Sequence, residues 1–305
     1  MRADIKRAFE HLSASMSVDP PPQSIAEMID LLRSTTESYG DVVPRAQLTG
    51  VRCIPVDASG VAAEWIVPDA PASNAITVYL HGGGWAAGSL NSHRSMIAAI
   101  AMATGMPVLS VGYRLSPENP YPAGLEDCVT ALKWAETNAP EGLAKPTNIF
   151  LAGDSCGGNL TAATCLHLIE HGGRLPDKVV LISPMLEAAC NPERQDREGD
   201  PVGSNAGVTC VPDIYGIDQE RLADPLVSPV HAPVELLAKF PPTLIQASGA
   251  EFFYWDAKTF TDRLAAAGAR VTLSLWPNMP HVWHLFANFL PEAKDATAEI
   301  AKFLR

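Results

Sequence analysis

From residue 51 onward, continuous apolar runs of strand length alternate with stretches of helix length, and this alternation restricts the fold more than any other feature. The runs are "ITVYLH" (76–81), "PVLSVGY" (107–113), "NIFLAG" (148–153), "KVVLIS" (178–183), "TLIQAS" (243–248) and "RVTLSLW" (270–276). A strand that is apolar at successive positions, not only at alternate ones, is covered on both faces. The helix-like stretches between the runs, about 93–104, 124–138, 157–171 and 255–267, with a last one near 289–304, supply that cover. Earlier, "VRCIPV" and "GVAAEWIV" read as a hairpin or meander. The expectation is an α/β fold: a mostly parallel eight-stranded sheet with an antiparallel start and helices on both faces. A chain of 305 residues, 47% of them hydrophobic, can bury a core of that size.

Two regions break the rhythm. Residues 1–45 read as helices, Ile5, Phe9 and Leu12 falling at helical spacing, with "DPPPQ" as a breaker. Ser24 and Glu27 form an S-x-x-E capping box for the helix that follows. Residues 185–225 are polar, rich in Gly and Pro, and too long for an ordinary connection. Both regions are expected to lie over the sheet as a cap. The division is then 1–45 as N-terminal cap helices and 46–305 as the catalytic domain, with 185–225 contributing to the cap.

Two glycine-rich stretches carry the chemistry. "GDSCG" (153–157) follows a strand and opens a helix, the context of a nucleophile elbow centred on Ser155. The bland alternative is a turn with a helix-capping serine. "HGGG" (81–84) ends another strand with three glycines, which pack nothing and give away backbone entropy. Bare backbone there leaves N–H groups open to a negative oxygen. Gly83 and Gly84 are the expected donors, joined by the N–H of Cys156 after the nucleophile. "HGGR" (171–174) is a decoy that ends a helix, with Gly172 as its C-cap.

A serine nucleophile needs a base, and the base an orienting acid. Among eight histidines, His281 stands out in "WPNMPHVWHLF", just past the last strand, with His284 as a rival. His81 is expected to order the glycine loop; the other five have bland readings. Glu251 and Asp256 both follow the strand "TLIQAS". Glu251 is favoured, because Asp256 falls at a helix start where a carboxylate has a structural use. The order Ser, acid, His is that of the α/β hydrolases.

Composition narrows the partners. A net charge of -12 argues against nucleic acid. No run of eighteen apolar residues is present, so no membrane span is expected. The first sixteen residues lack the apolar core of a signal peptide, and the six cysteines are dispersed without a C-x-x-C pair. The expectation is a cytoplasmic protein with free thiols. Metal and nucleotide motifs (H-E-x-x-H, G-x-G-x-x-G, P-loop) are missing, so no cofactor and no metal are expected. A homodimer is left open. Cys156, at a helix N-terminus that favours thiolate, reads either as a buried stand-in for alanine or as a redox switch.

"HGGGW", "YRLSPENPYPAGLEDC" (113–128), "GDSCGG", "DPLVSP" (224–229) and "PHVWHLF" (280–286) together resemble the hormone-sensitive-lipase-like esterases, bacterial family IV of the α/β-hydrolase fold. The resemblance runs from about residue 75 to the end. It implies Ser155 as nucleophile, His281 as base, Gly83, Gly84 and Cys156 as oxyanion donors, and a helical cap. Two positions depart from the family: Cys156 stands where many members have alanine, and Glu251 where the acid is commonly Asp. The implied activity is hydrolysis of small-molecule carboxylic esters with short to medium acyl groups. Amide hydrolysis by the same triad is one alternative. A non-catalytic ligand-binding protein, as in the plant gibberellin receptors that lost the catalytic histidine, is the other.

Overall fold

In the computed structural model, which describes residues 1–16, 18–41, 48–191, 193–197 and 200–305, the apolar runs become one eight-stranded sheet. Positions 17, 42–45, 192, 198 and 199 of the expected cap segments lie outside the described residues. The strands are β1 (Val51–Asp57), β2 (Ala62–Pro68), β3 (Ile76–Leu80), β4 (Val108–Val111), β5 (Ile149–Asp154), β6 (Lys178–Ile182), β7 (Thr243–Ser248) and β8 (Val271–Trp276). Their order across the sheet is β1-β2-β4-β3-β5-β6-β7-β8. β2 runs antiparallel to both β1 and β4, and every other pairing is parallel.

Ten helices accompany the sheet among the described residues: α1 (Ala3–Met16), α2 (Ile25–Glu37), α3 (Arg94–Thr104), α4 (Ala123–Ala135), α5 (Ser155–His171), α6 (Asn205–Val208), α7 (Val211–Tyr215), α8 (Val234–Leu237), α9 (Tyr254–Ala266) and α10 (Pro291–Leu304). The period of two along a strand sends neighbouring side chains to opposite faces, and β3 shows the result. Val78 and Leu80 join a core with Leu132 of α4, Leu166 of α5 and Phe260 of α9. Tyr79 joins another with Ile97 of α3 and Ile300 of α10. Both faces are buried along β3 to β7, which is why these strands read as continuous apolar runs. β8, expected to be buried as well, is an edge strand that leaves Thr272 and Leu275 exposed.

The capping box at α2 forms with a shift. Ser24 Oγ accepts from the Glu27 amide at 3.2 Å, but Glu27 reaches back to the Gln23 amide, one residue earlier than the motif predicts. α1 buries Ile5, Ala8 and Leu12 in the α3/α10 core, and Arg2 pairs with Glu292 at 2.7 Å. α2 instead meets the insertion: Ile29 clusters with Ile214 of α7 and with Ala86. Gly172, at φ 76°, ends α5 as expected.

Candidate active site

β5 passes into α5 without a connecting residue, so the chain reverses at Ser155, which sits at φ 53°. A left-handed conformation on a non-glycine residue costs on the order of 1–3 kcal/mol and persists only where the surroundings enforce it. The flanking glycines provide that enforcement. A Cβ on Gly153 would strike the Gly157 carbonyl, and one on Gly157 the Leu80 carbonyl. Strand and helix therefore close on the elbow from both sides. Trp85 (φ 59°), Ser183 (φ 45°) and Val282 (φ 48°) share this conformation, and all three lie in loops around Ser155. Val282 is β-branched, which makes its conformation the most costly by sterics.

The glycine loop leaves the C-terminal end of β3. Gly83 (φ 123°) and Gly84 (φ 59°) adopt backbone conformations open to glycine, and a Cβ on Gly83 would meet the Ala87 carbonyl. Under the loop, Asp154 Oδ1 accepts from the Tyr79 hydroxyl at 2.8 Å and from the Gly82 amide at 3.1 Å. Its Oδ2 lies 3.3 Å from His93 Nε2. Burial alone would raise the Asp154 carboxyl, but His93 and the Tyr79 hydrogen bond outweigh it and hold it below the usual carboxylate range. His81 turns Nδ1 to the Gly82 carbonyl at 2.8 Å and stacks on Tyr113 at 4.4 Å between ring centres. Burial lowers its pKa to about 4, so the ring is neutral and orders the loop without adding charge. The Cys156 amide opens α5 and has no partner within the helix.

The loops after β7 and β8 bring the acid and the base together. His281 Nδ1 meets Glu251 Oε2 at 2.8 Å, across thirty residues of sequence. Both side chains are buried, and His281 Nε2 has no partner among the described residues. Glu251 Oε1 accepts from the Ser248 amide at 2.6 Å and from the Ser183 hydroxyl at 3.1 Å. The same Ser183 oxygen accepts from the Val282 amide at 3.2 Å, and Ser248 Oγ accepts from the Met279 amide at 3.0 Å. Ser183 and Ser248 thus tie the two loops to each other. Sequence reasoning passed over both, because an isolated serine at a strand end carries no motif.

Burial opposes a charge on His281, but the hydrogen bond and charge of Glu251 prevail and raise its pKa above the ordinary 6.5. A base must be neutral to accept a proton. The acid limb of kcat/KM against pH is therefore expected to have an apparent pKa above 6.5, and to move down in residual Glu251→Gln activity. A limb that stays in place in Glu251→Gln would deny the coupling. The linked stability has the opposite sense: a raised histidine pKa stabilises the fold fully below pH 6.5, and that contribution is lost as pH rises through the folded value.

The rivals have other partners. Asp256 Oδ2 accepts from the Leu186 and Glu187 amides at 2.8 and 3.0 Å, and Arg194 Nε lies 3.5 Å from Oδ1. The expected use of Asp256 at the start of its own helix is thus corrected: the carboxylate anchors the 185–225 insertion instead. Burial pushes it up to about 7, against the pull of Arg194. His284 Nε2 binds Gln246 Oε1 at 2.8 Å in the core, where burial lowers its pKa to about 3. Of the two readings of Cys156, burial favours the stand-in for alanine: the thiol is fully buried, and desolvation pushes it up to about 12.

Ser155 borders two hollows. A recess of about 60 Å³ is lined by Gly83, Gly84, Asp154, His281 and Leu285. A larger cavity of about 330 Å³ is lined by Leu32 of α2, Trp85, Met185, Val208 of α6, Ile214 and Phe253. A serine at a strained elbow, backbone N–H groups beside it and an imidazole held by a carboxylate match the parts that acyl transfer needs. Among the described residues no group of three or more metal-ligating side chains forms, and no helix is long and apolar enough to cross a membrane.

Comparison with known proteins places this geometry in a family. A family model described as the alpha/beta hydrolase fold matches residues 77–285. An acetyl-hydrolase of Streptomyces hygroscopicus is 37% identical over 250 residues, 80% of this chain and 79% of the relative. An esterase of Acinetobacter venetianus is 34% identical over 89% of this chain and 87% of its own. A crystal structure of an esterase from the bacterial hormone-sensitive lipase family superposes with a TM-score of 0.87 at 34% identity, covering 100% of this chain and 98% of that one. The chain belongs to the α/β-hydrolase fold, in its hormone-sensitive-lipase-like family of esterases.

Proposed function

We propose that this protein hydrolyses carboxylic esters with short to medium acyl groups through an acyl-enzyme on Ser155. The observation that carries the reading is His281, held by Glu251 at 2.8 Å, with its other ring nitrogen unpartnered and its side chain bordering the same recess as Ser155. Ser155 Oγ attacks the carbonyl carbon while His281 Nε2 takes its proton. Gly83, Gly84 and Cys156 N–H groups receive the negative oxygen, and the tetrahedral intermediate collapses as His281 protonates the departing alcohol. Water then repeats the sequence, His281 again taking and returning the proton, and releases the acid. No cofactor enters.

The alcohol oxygen must leave beside His281, so the recess lined by His281 and Leu285 takes the alcohol. The acyl chain then enters the larger cavity under α2 and the insertion, which we read as the cap. At roughly 30 Å³ for a water-sized group, 330 Å³ admits about ten such groups. Activity on p-nitrophenyl esters is expected to peak at short to medium chains and fall for palmitate. Val208→Trp, which takes up part of the cavity, should move the optimum down by about three carbons. An unchanged chain-length profile in Val208→Trp would refute the acyl assignment.

Related proteins bear ester-hydrolase names, and a structure of one relative, EstE5, was soaked with p-nitrophenyl butyrate (TM-score 0.86, 30% identity). Amide hydrolysis is not favoured on this comparison. Parallel assays on an ester and its matching anilide test it directly. We also propose a cytoplasmic location, in keeping with the buried free thiols Cys128, Cys156 and Cys165.

A further inference from the structure

Cys156 stands where many family members have alanine, and its sulfur has a partner that alanine lacks. The sulfur accepts from the Trp85 amide at 3.1 Å, at the far end of the glycine loop. Tyr113, buried in the same core cluster as Cys156, serves the other end of the loop. Tyr113 Oη in turn donates to the His81 carbonyl at 2.7 Å, at the near end of the loop. Two hydrogen bonds, one to the sulfur and one from the tyrosine, bracket the three glycines at both ends.

The loop needs such a bracket. Three glycines have the widest backbone freedom, while an oxyanion hole must hold its donors in place before charge develops. Trp85 itself is held at φ 59°, and its indole stacks on Tyr215 of the insertion at 4.4 Å. That stacking fixes the side chain, whereas the sulfur fixes the peptide.

We propose that the Cys156 thiol is a positioning residue: with Tyr113 it clamps the His81–Trp85 loop so that the Gly83 and Gly84 amides meet the oxyanion. The proposal rests on the ester-hydrolase reading of those amides. A small displacement of donors costs rate without costing ground-state binding. Cys156→Ala is therefore expected to lose about tenfold in kcat on p-nitrophenyl butyrate, with KM within about twofold. A trifluoromethyl ketone, which forms an oxyanion on the serine, should weaken by the same factor. Cys156→Ser offers an oxygen to the Trp85 amide and should recover to within about threefold of the native kcat.

Two results would overturn the proposal: Cys156→Ala with native kcat and native inhibitor affinity, or Cys156→Ser impaired as deeply as Cys156→Ala, which would mean that sulfur volume alone matters. If Cys156→Ala does not fold, Tyr113→Phe breaks the clamp at its other end. It should lower kcat severalfold at constant KM, and a native kcat there would also overturn the proposal. Failure of the ester-hydrolase reading is recognised separately, by activity surviving in Ser155→Ala.

Discussion

Ser155→Ala is expected to fold as the native protein does and to lose at least about a thousandfold in kcat for p-nitrophenyl butyrate. The loss follows from chemistry, since alanine has no hydroxyl to form the acyl bond and the neighbouring Cys156 thiol is fully buried. The unchanged fold follows from the backbone: alanine and serine carry the same Cβ into the left-handed conformation at φ 53°. A companion variant separates the two effects. Ser155→Gly is equally unable to form the acyl-enzyme, yet it relieves the elbow of strain worth about 1–3 kcal/mol against a glycine entropy cost of about 0.5–1 kcal/mol. Its thermal midpoint should be no lower than that of Ser155→Ala. Substantial activity in a folded Ser155→Ala would remove the nucleophile assignment.

Glu251→Gln should cut kcat by roughly a hundredfold to ten-thousandfold, because an amide at this site can impose the wrong imidazole tautomer and cannot stabilise the imidazolium. Asp256→Asn should behave in the opposite way. Its carboxylate holds the Leu186 and Glu187 amides and stands 3.5 Å from the buried Arg194. Removing the charge leaves Arg194 less compensated, so the thermal midpoint should fall by about 5 °C while turnover stays within a few-fold. Turnover and melting, measured on both variants, decide the matter. A fully active Glu251→Gln beside a folded but inactive Asp256→Asn would reverse the two roles.

The strands were legible because burial on both faces leaves a mark on every residue: "TVYL" and "IFLA" need no context to be read as sheet interior. The elbow was legible for a related reason, since glycines at 153 and 157 are demanded by carbonyls that would collide with any Cβ. Long-range interactions that belong to no motif were not legible. Asp256 looked like a helix-start carboxylate because its partners lie about seventy residues earlier, in a polar insertion without periodicity. Cys156 stayed open to two readings because the dipole can be read from sequence, whereas the complete burial that opposes a thiolate cannot. His93 and Ser183, both near the site, belong to no motif, and only the folded chain brings them to Asp154 and Glu251.

The account centres on a covalent intermediate, and intact-protein mass spectrometry of the enzyme acid-quenched during turnover of p-nitrophenyl butyrate observes it directly. The predicted result is a single butyryl adduct, located by peptide mapping at Ser155 and accumulating more strongly in a variant slowed in deacylation. Turnover at native rate with no adduct at any quench time, or with the adduct on a residue other than Ser155, would contradict it.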